Sequence, residues 1–212
     1  MKTDDLIAML GTNVEPIRRP AGRTLTLAIA GGVLLAACGV MATMGLRPDL
    51  VQSVSLLYLL LKIGLMLLIL VPASIFLKRL ARPGGERRVS LALLALPFLV
   101  VMVLAIVALS MTPRSHWTAE IIGDEWIECL VSIPVIAIVP FAAIIWAVRR
   151  MAPTDLVRAG AVSGLVAGCI SALGYALHCT ADSIPFIAVW YGGTVVLCTL
   201  AGALLGPRLL RW

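Results

Sequence analysis

Six apolar runs, each long enough to cross a lipid bilayer, dominate this sequence. A hydrocarbon core about 30 Å thick is crossed by about 20 helical residues, because an α-helix rises about 1.5 Å per residue. The predicted spans are residues 25–45, 54–77, 89–111, 126–148, 156–177 and 184–205. With 61% hydrophobic and 13% charged residues, the chain has too little polar surface for a soluble domain. We therefore predict an all-α fold, a polytopic transmembrane bundle of six helices.

The basic residues alternate between connecting segments and so predict the orientation. Fourteen of the 17 lie before span one, between spans two and three, between spans four and five, or after span six. The exceptions are Arg47, Lys62 and Arg114. By the positive-inside rule both termini are expected in the cytoplasm. The predicted parts are a cytoplasmic segment 1–23, a transmembrane domain 24–206 and a tail 207–212.

The same distribution excludes two other interpretations. The net charge of +6 is divided among short clusters, so there is no continuous basic face for direct nucleic-acid binding. Residues 35–39 (Leu-Ala-Ala-Cys-Gly) resemble a lipoprotein cleavage box, but the apolar run continues to about residue 45. That length exceeds a signal-peptide core, so we expect span one to be retained as a membrane helix.

Span five carries glycines at helical spacing. Gly160, Gly164 and Gly168 recur every four residues, and Ala172 and Ala176 continue the series. Residues four apart share a helix face, so these small side chains form a groove where another backbone can approach closely. We expect the groove to pack against a neighbouring helix of the same chain; a homodimer would be the other use of the motif.

Lys62 interrupts the apolar run of span two. A charge at the bilayer centre costs about 2.5–3.5 kcal/mol on insertion scales. We expect its long side chain to extend toward an outer carboxylate, an arrangement that reduces this cost.

Reactive groups collect at the predicted outer ends of spans four and five. Cys129 opens span four, and His178 and Cys179 close span five. Cys129 and Cys179 would face an oxidising compartment, so a disulfide or redox-active pair is expected. Protonated His178 would increase thiol reactivity. A soft metal ion bound by Cys129, Cys179, His178 and His116, or two unrelated thiols, are the alternatives.

The pattern of the N-terminal segment predicts a short amphipathic helix. Acidic Asp4 and Asp5 suit its positive N-terminal end, and Leu6, Ile7 and Leu10 form an apolar edge. A helix this short is unstable alone in water, so its edge needs lipid headgroups or a protein groove. The two acidic residues disfavour an anionic membrane and favour a protein partner.

Motifs for catalysis are missing from the sequence. It contains no phosphate-binding glycine loop, no His-Glu-x-x-His and no Cys-x-x-Cys, and the longest loop, 112–125, is too short for a catalytic domain. We expect a protein that is not an enzyme and needs no cofactor, apart from the metal alternative above.

Taken together, these features resemble the NrsF family of bacterial integral-membrane anti-sigma factors. The residues that carry the resemblance are Thr3-Asp4-Asp5-Leu6-Ile7-x-x-Leu10, Arg18-Arg19-Pro20, Trp126-x-x-Cys129, His178-Cys179, Phe186 and Trp190-Tyr191. The likeness extends over essentially the whole chain.

The resemblance implies an extracytoplasmic-function sigma factor as the partner, held at the inner membrane and released on stress. It implies that Asp4, Asp5, Leu6, Ile7 and Leu10 contact the sigma factor. It also implies that Cys129 and Cys179 receive a periplasmic redox or metal signal.

Two other functions remain open from the sequence alone. A small transporter or channel would need polar groups near the midplane, usually in two related halves, and no matching positions are evident. A membrane thiol oxidoreductase would need a second cysteine pair or a further cofactor to pass electrons onward, and Cys169 and Cys198 are too isolated to form that pair.

Overall fold

The computed structural model describes residues 3, 21–49, 53–82 and 92–211, and this part contains six helices long and apolar enough to cross a membrane. The helices are α1 (Ala21–Thr43), α2 (Ser53–Leu80), α3 (Ala92–Met111), α4 (Trp126–Arg149), α5 (Leu156–Ala176) and α6 (Ile184–Leu209). The described residues include no β-strand. These findings confirm the prediction of an all-helical protein with six apolar spans.

The helix ends differ slightly from the predicted spans. The first helix begins at Ala21 and the last ends at Leu209, so both extend beyond the apolar runs. The proposed domain boundaries after residues 23 and 206 therefore lie inside helices. A helix can continue past Arg23 and Arg208 because its backbone bonds are satisfied internally and arginine side chains reach the membrane surface.

The centre of the bundle is α5. Sixteen of its 21 residues are buried, and it packs against α1, α2, α4 and α6. The side chains of α5 are mostly small, which lets four neighbours approach without a large void or clash. By contrast, α3 packs at the edge against α2 and the first turns of α6, and most of its large apolar side chains are exposed, as expected for a surface facing lipid.

The glycine groove of α5 is occupied by α6. A Cβ atom on Gly160 would lie 2.6 Å from Cα of Gly206, and one on Gly164 would lie 3.1 Å from Cα of Gly202. At the third position, a Cβ on Gly168 would lie 3.0 Å from Cβ of Cys198. The two helices thus meet backbone to backbone, which allows dispersion contacts that larger side chains would prevent.

A surface segment links α3 to α4 and is anchored on the start of α6. It contains a short helix, Trp117–Ile122. The Ser183 hydroxyl donates to the Glu120 carbonyl at 2.6 Å, and Trp190 Nε1 donates to the Ile121 carbonyl at 2.8 Å. These bonds hold the segment over the ends of the helices.

Proline and one π turn interrupt regular α geometry. Pro72, Pro97, Pro134 and Pro140 all lie inside helices, as membrane helices tolerate. The first part of α6 contains a π turn at Ile187–Tyr191, a feature that often occurs at functional sites.

Replacing Gly164 with alanine should destabilise the bundle. The new methyl group would meet the backbone of Cys198 and Gly202, which can move only if α6 shifts away, so we expect a loss of about 1–3 kcal/mol. The matched control is Gly193→Ala in α6, where nothing lies within 4 Å of the added Cβ. Unfolding in mixed detergent micelles measures both variants, and equal stability of the two would contradict the predicted packing role.

Candidate functional site

Two cysteines lie at one end of the bundle, here called the thiol end. Cys129 is in the first turn of α4 and Cys179 follows the end of α5, and both are fully buried thiols. The Cys129 amide donates to the Glu125 carbonyl at 2.9 Å, and the Thr180 amide donates to Glu125 Oε2 at 3.1 Å. Glu125 therefore joins the two chain segments that carry the thiols. The predicted disulfide between them stays a prediction.

His178 contacts the connection between α1 and α2. Its Nδ1 lies 3.2 Å from the carbonyl oxygen of Gly45. Because a carbonyl oxygen can only accept, Nδ1 must carry the proton in this contact. In addition, the Arg47 amide donates to the Leu177 carbonyl at 3.1 Å, so the 44–49 segment is pinned to the end of α5 at two points.

Lys62 reaches the thiol end from the interior of α2. Its side chain is completely buried, and Nζ lies 2.9 Å from Asp182 Oδ1 and 3.2 Å from the Cys179 carbonyl oxygen. The ammonium also lies 5.7 Å from the centre of the Tyr191 ring. The carboxylate that Lys62 meets is Asp182, and the charge is satisfied inside the bundle rather than in lipid.

A second buried cation completes an ion-pair network. Arg47 donates to Asp182 Oδ2 at 2.6 Å and to Asp49 Oδ1 at 2.7 Å, and Ser55 donates to Asp49 at 2.9 Å. Two cations are thus balanced by two carboxylates, which is the condition under which buried charges are tolerated. Hydrogen bonds from Arg47 hold the pKa of the Asp49 carboxyl well below its usual range, so this carboxylate stays charged.

The groups around Cys179 shift the pKa of its thiol in opposite directions. Burial raises the pKa of the Cys179 thiol, and the Lys62 ammonium works against that increase. Burial also opposes ionisation of Glu125, but hydrogen bonds from Thr180 and from the Cys179 thiol outweigh it, so the pKa of Glu125 is lowered. The resting arrangement is a buried thiol between an ammonium and a carboxylate.

Two pairs of aromatic side chains, here called the aromatic wall, lie at the thiol end. The rings of Tyr175 and Tyr191 lie 6.1 Å apart, and those of Trp126 and Trp190 lie 5.1 Å apart. All four rings come from α4, α5 or α6, so the wall depends on the packing of those helices.

The metal alternative gains no support from the geometry. Within the described ranges, no three or more His, Cys, Asp or Glu residues are grouped as a metal site requires. His116 is exposed in the 112–125 connection, where its ring nitrogen contacts Ser115.

The structure describes the predicted helix-packing residues but not the predicted partner-binding residues. Gly160, Gly164 and Gly168 lie against α6, as described above. The residues predicted to contact a partner, Asp4, Asp5, Leu6, Ile7 and Leu10, fall outside the described part of the chain.

Sequence reasoning missed the roles of Arg47, Asp49, Ser55 and Glu125. One signal was available: Arg47 lies in a predicted outer connection, where basic residues are rare, and such an exception suggests an arginine with a local carboxylate partner. Nothing in the spacing of residues 47, 62 and 182 indicates that they meet.

Comparisons with known proteins agree over the full length of the chain. A family model described as NrsF, negative regulator of sigma F, matches residues 10–212. A protein of Azospira oryzae named probable anti-sigma-F factor NrsF is 32% identical over 213 residues, covering 100% of both chains. The anti-sigma-F factor NrsF of Caulobacter vibrioides is 32% identical over 214 residues, again covering 100% of both.

No solved structure matches the chain. The family model and both relatives confirm the resemblance inferred from the sequence motifs. On these grounds, the chain belongs to the NrsF family.

Proposed function

We propose that this protein is an anti-sigma factor that holds an extracytoplasmic-function sigma factor at the bacterial inner membrane. The observation that carries the proposal is the match over 100% of the chain to two proteins named as anti-sigma-F factors. The six apolar helices supply the membrane anchor that such a role needs. Binding to the anchor would keep the sigma factor away from RNA polymerase.

Both ends of the chain would face the cytoplasm. The charge pattern supports this orientation, since 14 of the 17 basic residues lie at the termini, in the connections α2–α3 and α4–α5, or in the helix turns next to them. Lys78 and Arg79 lie in the last turn of α2, and Arg149 is the last residue of α4. The thiol end would then face the periplasm, where thiols can be oxidised.

The sigma factor would bind the N-terminal segment through Leu6, Ile7 and Leu10, with Asp4 and Asp5 beside them. An amphipathic segment of this kind gains stability by placing its apolar edge in a groove of its partner. About 20 residues offer a small contact area, so the basic connections α2–α3 and α4–α5 would contribute to the interface.

The signal would be received by Cys129 and Cys179, with His178 next to them. An oxidant or a thiol-reactive metal in the periplasm would change the chemistry of these thiols and with it the packing of α4, α5 and α6. A coupling of 1–3 kcal/mol between the two ends would change sigma-factor occupancy about 5–150-fold.

The orientation is tested with a pair of single cysteines in a variant that lacks the native five. Ser115→Cys lies in the exposed connection before α4, and Arg149→Cys lies at the exposed opposite end of α4. In spheroplasts, an impermeant maleimide should label the first and not the second until the membrane is permeabilised. The reverse pattern would overturn the orientation.

Deleting residues 2–11 should release the sigma factor. Loss of the apolar edge removes the proposed contact, so the sigma factor should no longer purify with the membrane protein and its target promoters should be active without stress. Membrane insertion of the deleted variant, checked by fractionation, is the control. Undiminished co-purification would contradict the binding site.

Replacing Cys129 and Cys179 with serine should abolish the response while leaving sigma-factor binding intact. Serine is close to cysteine in size but cannot be oxidised to a disulfide or bind soft metals, so induction by an oxidant should fall to the unstressed level. The control is Cys38→Ser, because Cys38 is exposed on α1, whereas Cys129 and Cys179 are buried. A normal induction in the double variant would contradict a sensing role for the pair.

A further inference from the structure

The Lys62 ammonium makes its hydrogen-bond contacts with a single loop. An ammonium has three N–H donors, and Nζ lies 2.9 Å from Asp182 Oδ1, 3.2 Å from the Cys179 carbonyl oxygen and 3.8 Å from Cys179 Sγ. All three acceptors belong to the connection between α5 and α6. A lysine that merely avoided lipid would need only one such partner.

The two buried thiols differ in this respect. Cys179 receives a contact from a cation at its sulfur, whereas among the described residues no hydrogen bond reaches the sulfur of Cys129. An ammonium beside sulfur favours the thiolate, which is the form that attacks electrophiles. Burial opposes both thiolates and the Lys62 charge acts on both, so the direct contact of Nζ with the Cys179 sulfur distinguishes the two.

We propose that Lys62 is a positioning residue that makes Cys179 the first of the two thiols to react. The inference rests on the proposed sensing function of the pair and assigns the two cysteines an order. Lys62 keeps the Cys179 sulfur beside a buried positive charge, and Cys129 reacts second.

The carboxylate of Asp182 limits how strongly the Lys62 ammonium stabilises a thiolate at Cys179. Its carboxylate is shared by Lys62 and Arg47, and it neutralises part of the ammonium charge. Removing that carboxylate would leave Lys62 freer to stabilise a thiolate. The titratable groups that surround Cys179 are Lys62, Cys129, Glu125, Tyr175 and Tyr191.

The same contact connects the thiol to the other end of the membrane helix. Lys62 lies on α2, which continues to Leu80 beside the basic residues Lys78 and Arg79. A covalent bond at Cys179 Sγ places a new group beside Nζ and so disturbs the contact between the ammonium and the sulfur. The balance of forces on α2 therefore depends on the chemical state of Cys179.

Site-resolved alkylation of the purified full-length protein in detergent micelles tests the order. In the reaction with limiting iodoacetamide, the thiol proton passes to water, sulfur bonds to the methylene carbon and iodide leaves. Mass spectrometry of peptides gives the ratio of Cys179 to Cys129 modification. We expect Lys62→Met to lower this ratio about tenfold, and Lys62→Arg, which keeps the charge, to stay within about threefold of the unaltered protein.

Asp182→Asn provides the decisive comparison. Both Lys62→Met and Asp182→Asn break the same ion pair, so a purely structural latch predicts that they shift the ratio in the same direction. The proposed charge effect predicts opposite directions, with Asp182→Asn raising the ratio several-fold. Should Lys62→Met fail to fold, Asp182→Asn alone decides, since a ratio that falls or does not change overturns the proposal.

This experiment is independent of the sigma factor. It measures thiol reactivity in the isolated protein, so it can fail while the anti-sigma function holds. Conversely, the deletion of residues 2–11 can disprove sigma-factor binding without affecting the reactivity ratio.

Discussion

Close approach of the α5 and α6 backbones at Gly160, Gly164, Gly202 and Gly206 is the contact on which the rest of the bundle depends. Lipid tails are as apolar as leucine, so the hydrophobic effect does not drive helices together inside a membrane. Dispersion between closely spaced atoms must supply the attraction, and only residues without large side chains permit that spacing. Because α5 also contacts α1, α2 and α4, its position determines where those helices lie.

The thiol end adds electrostatic contacts to this packing. Lys62 and Arg47 are buried with side chains fully inaccessible, and the carboxylates of Asp182 and Asp49 balance them. These residues come from α2, from the α1–α2 connection and from the α5–α6 connection, so one network joins three parts of the chain. Breaking one pair would leave a buried charge without a partner, which is far more costly than losing a surface ion pair.

Burial of both thiols has a consequence for the proposed signal. Cys129 and Cys179 are fully covered, so a reagent reaches them only after the groups that cover them have moved. The hydrogen bonds between Glu125 and Thr180 oppose that motion. Under the proposed function, the response would therefore depend on the opening of the thiol end as well as on thiol chemistry.

The amino-acid sequence was enough to predict the all-helical class and the number of spans, because an apolar run of about 20 residues can cross a membrane as a helix. The order and spacing of its short motifs were enough to suggest the family. It also indicated the close-packing face of α5, since residues four apart must share a face. The packing of the helices was needed to show that α6 fills that face and that Lys62 meets Asp182 and Cys179. Those partners are about 120 residues away, and no local periodicity encodes a contact made by helices packing side by side. The roles of Arg47 and Glu125 could not be predicted for the same reason. They depend on which connections meet at the thiol end, and that is determined by the packing of the helices rather than by any single segment.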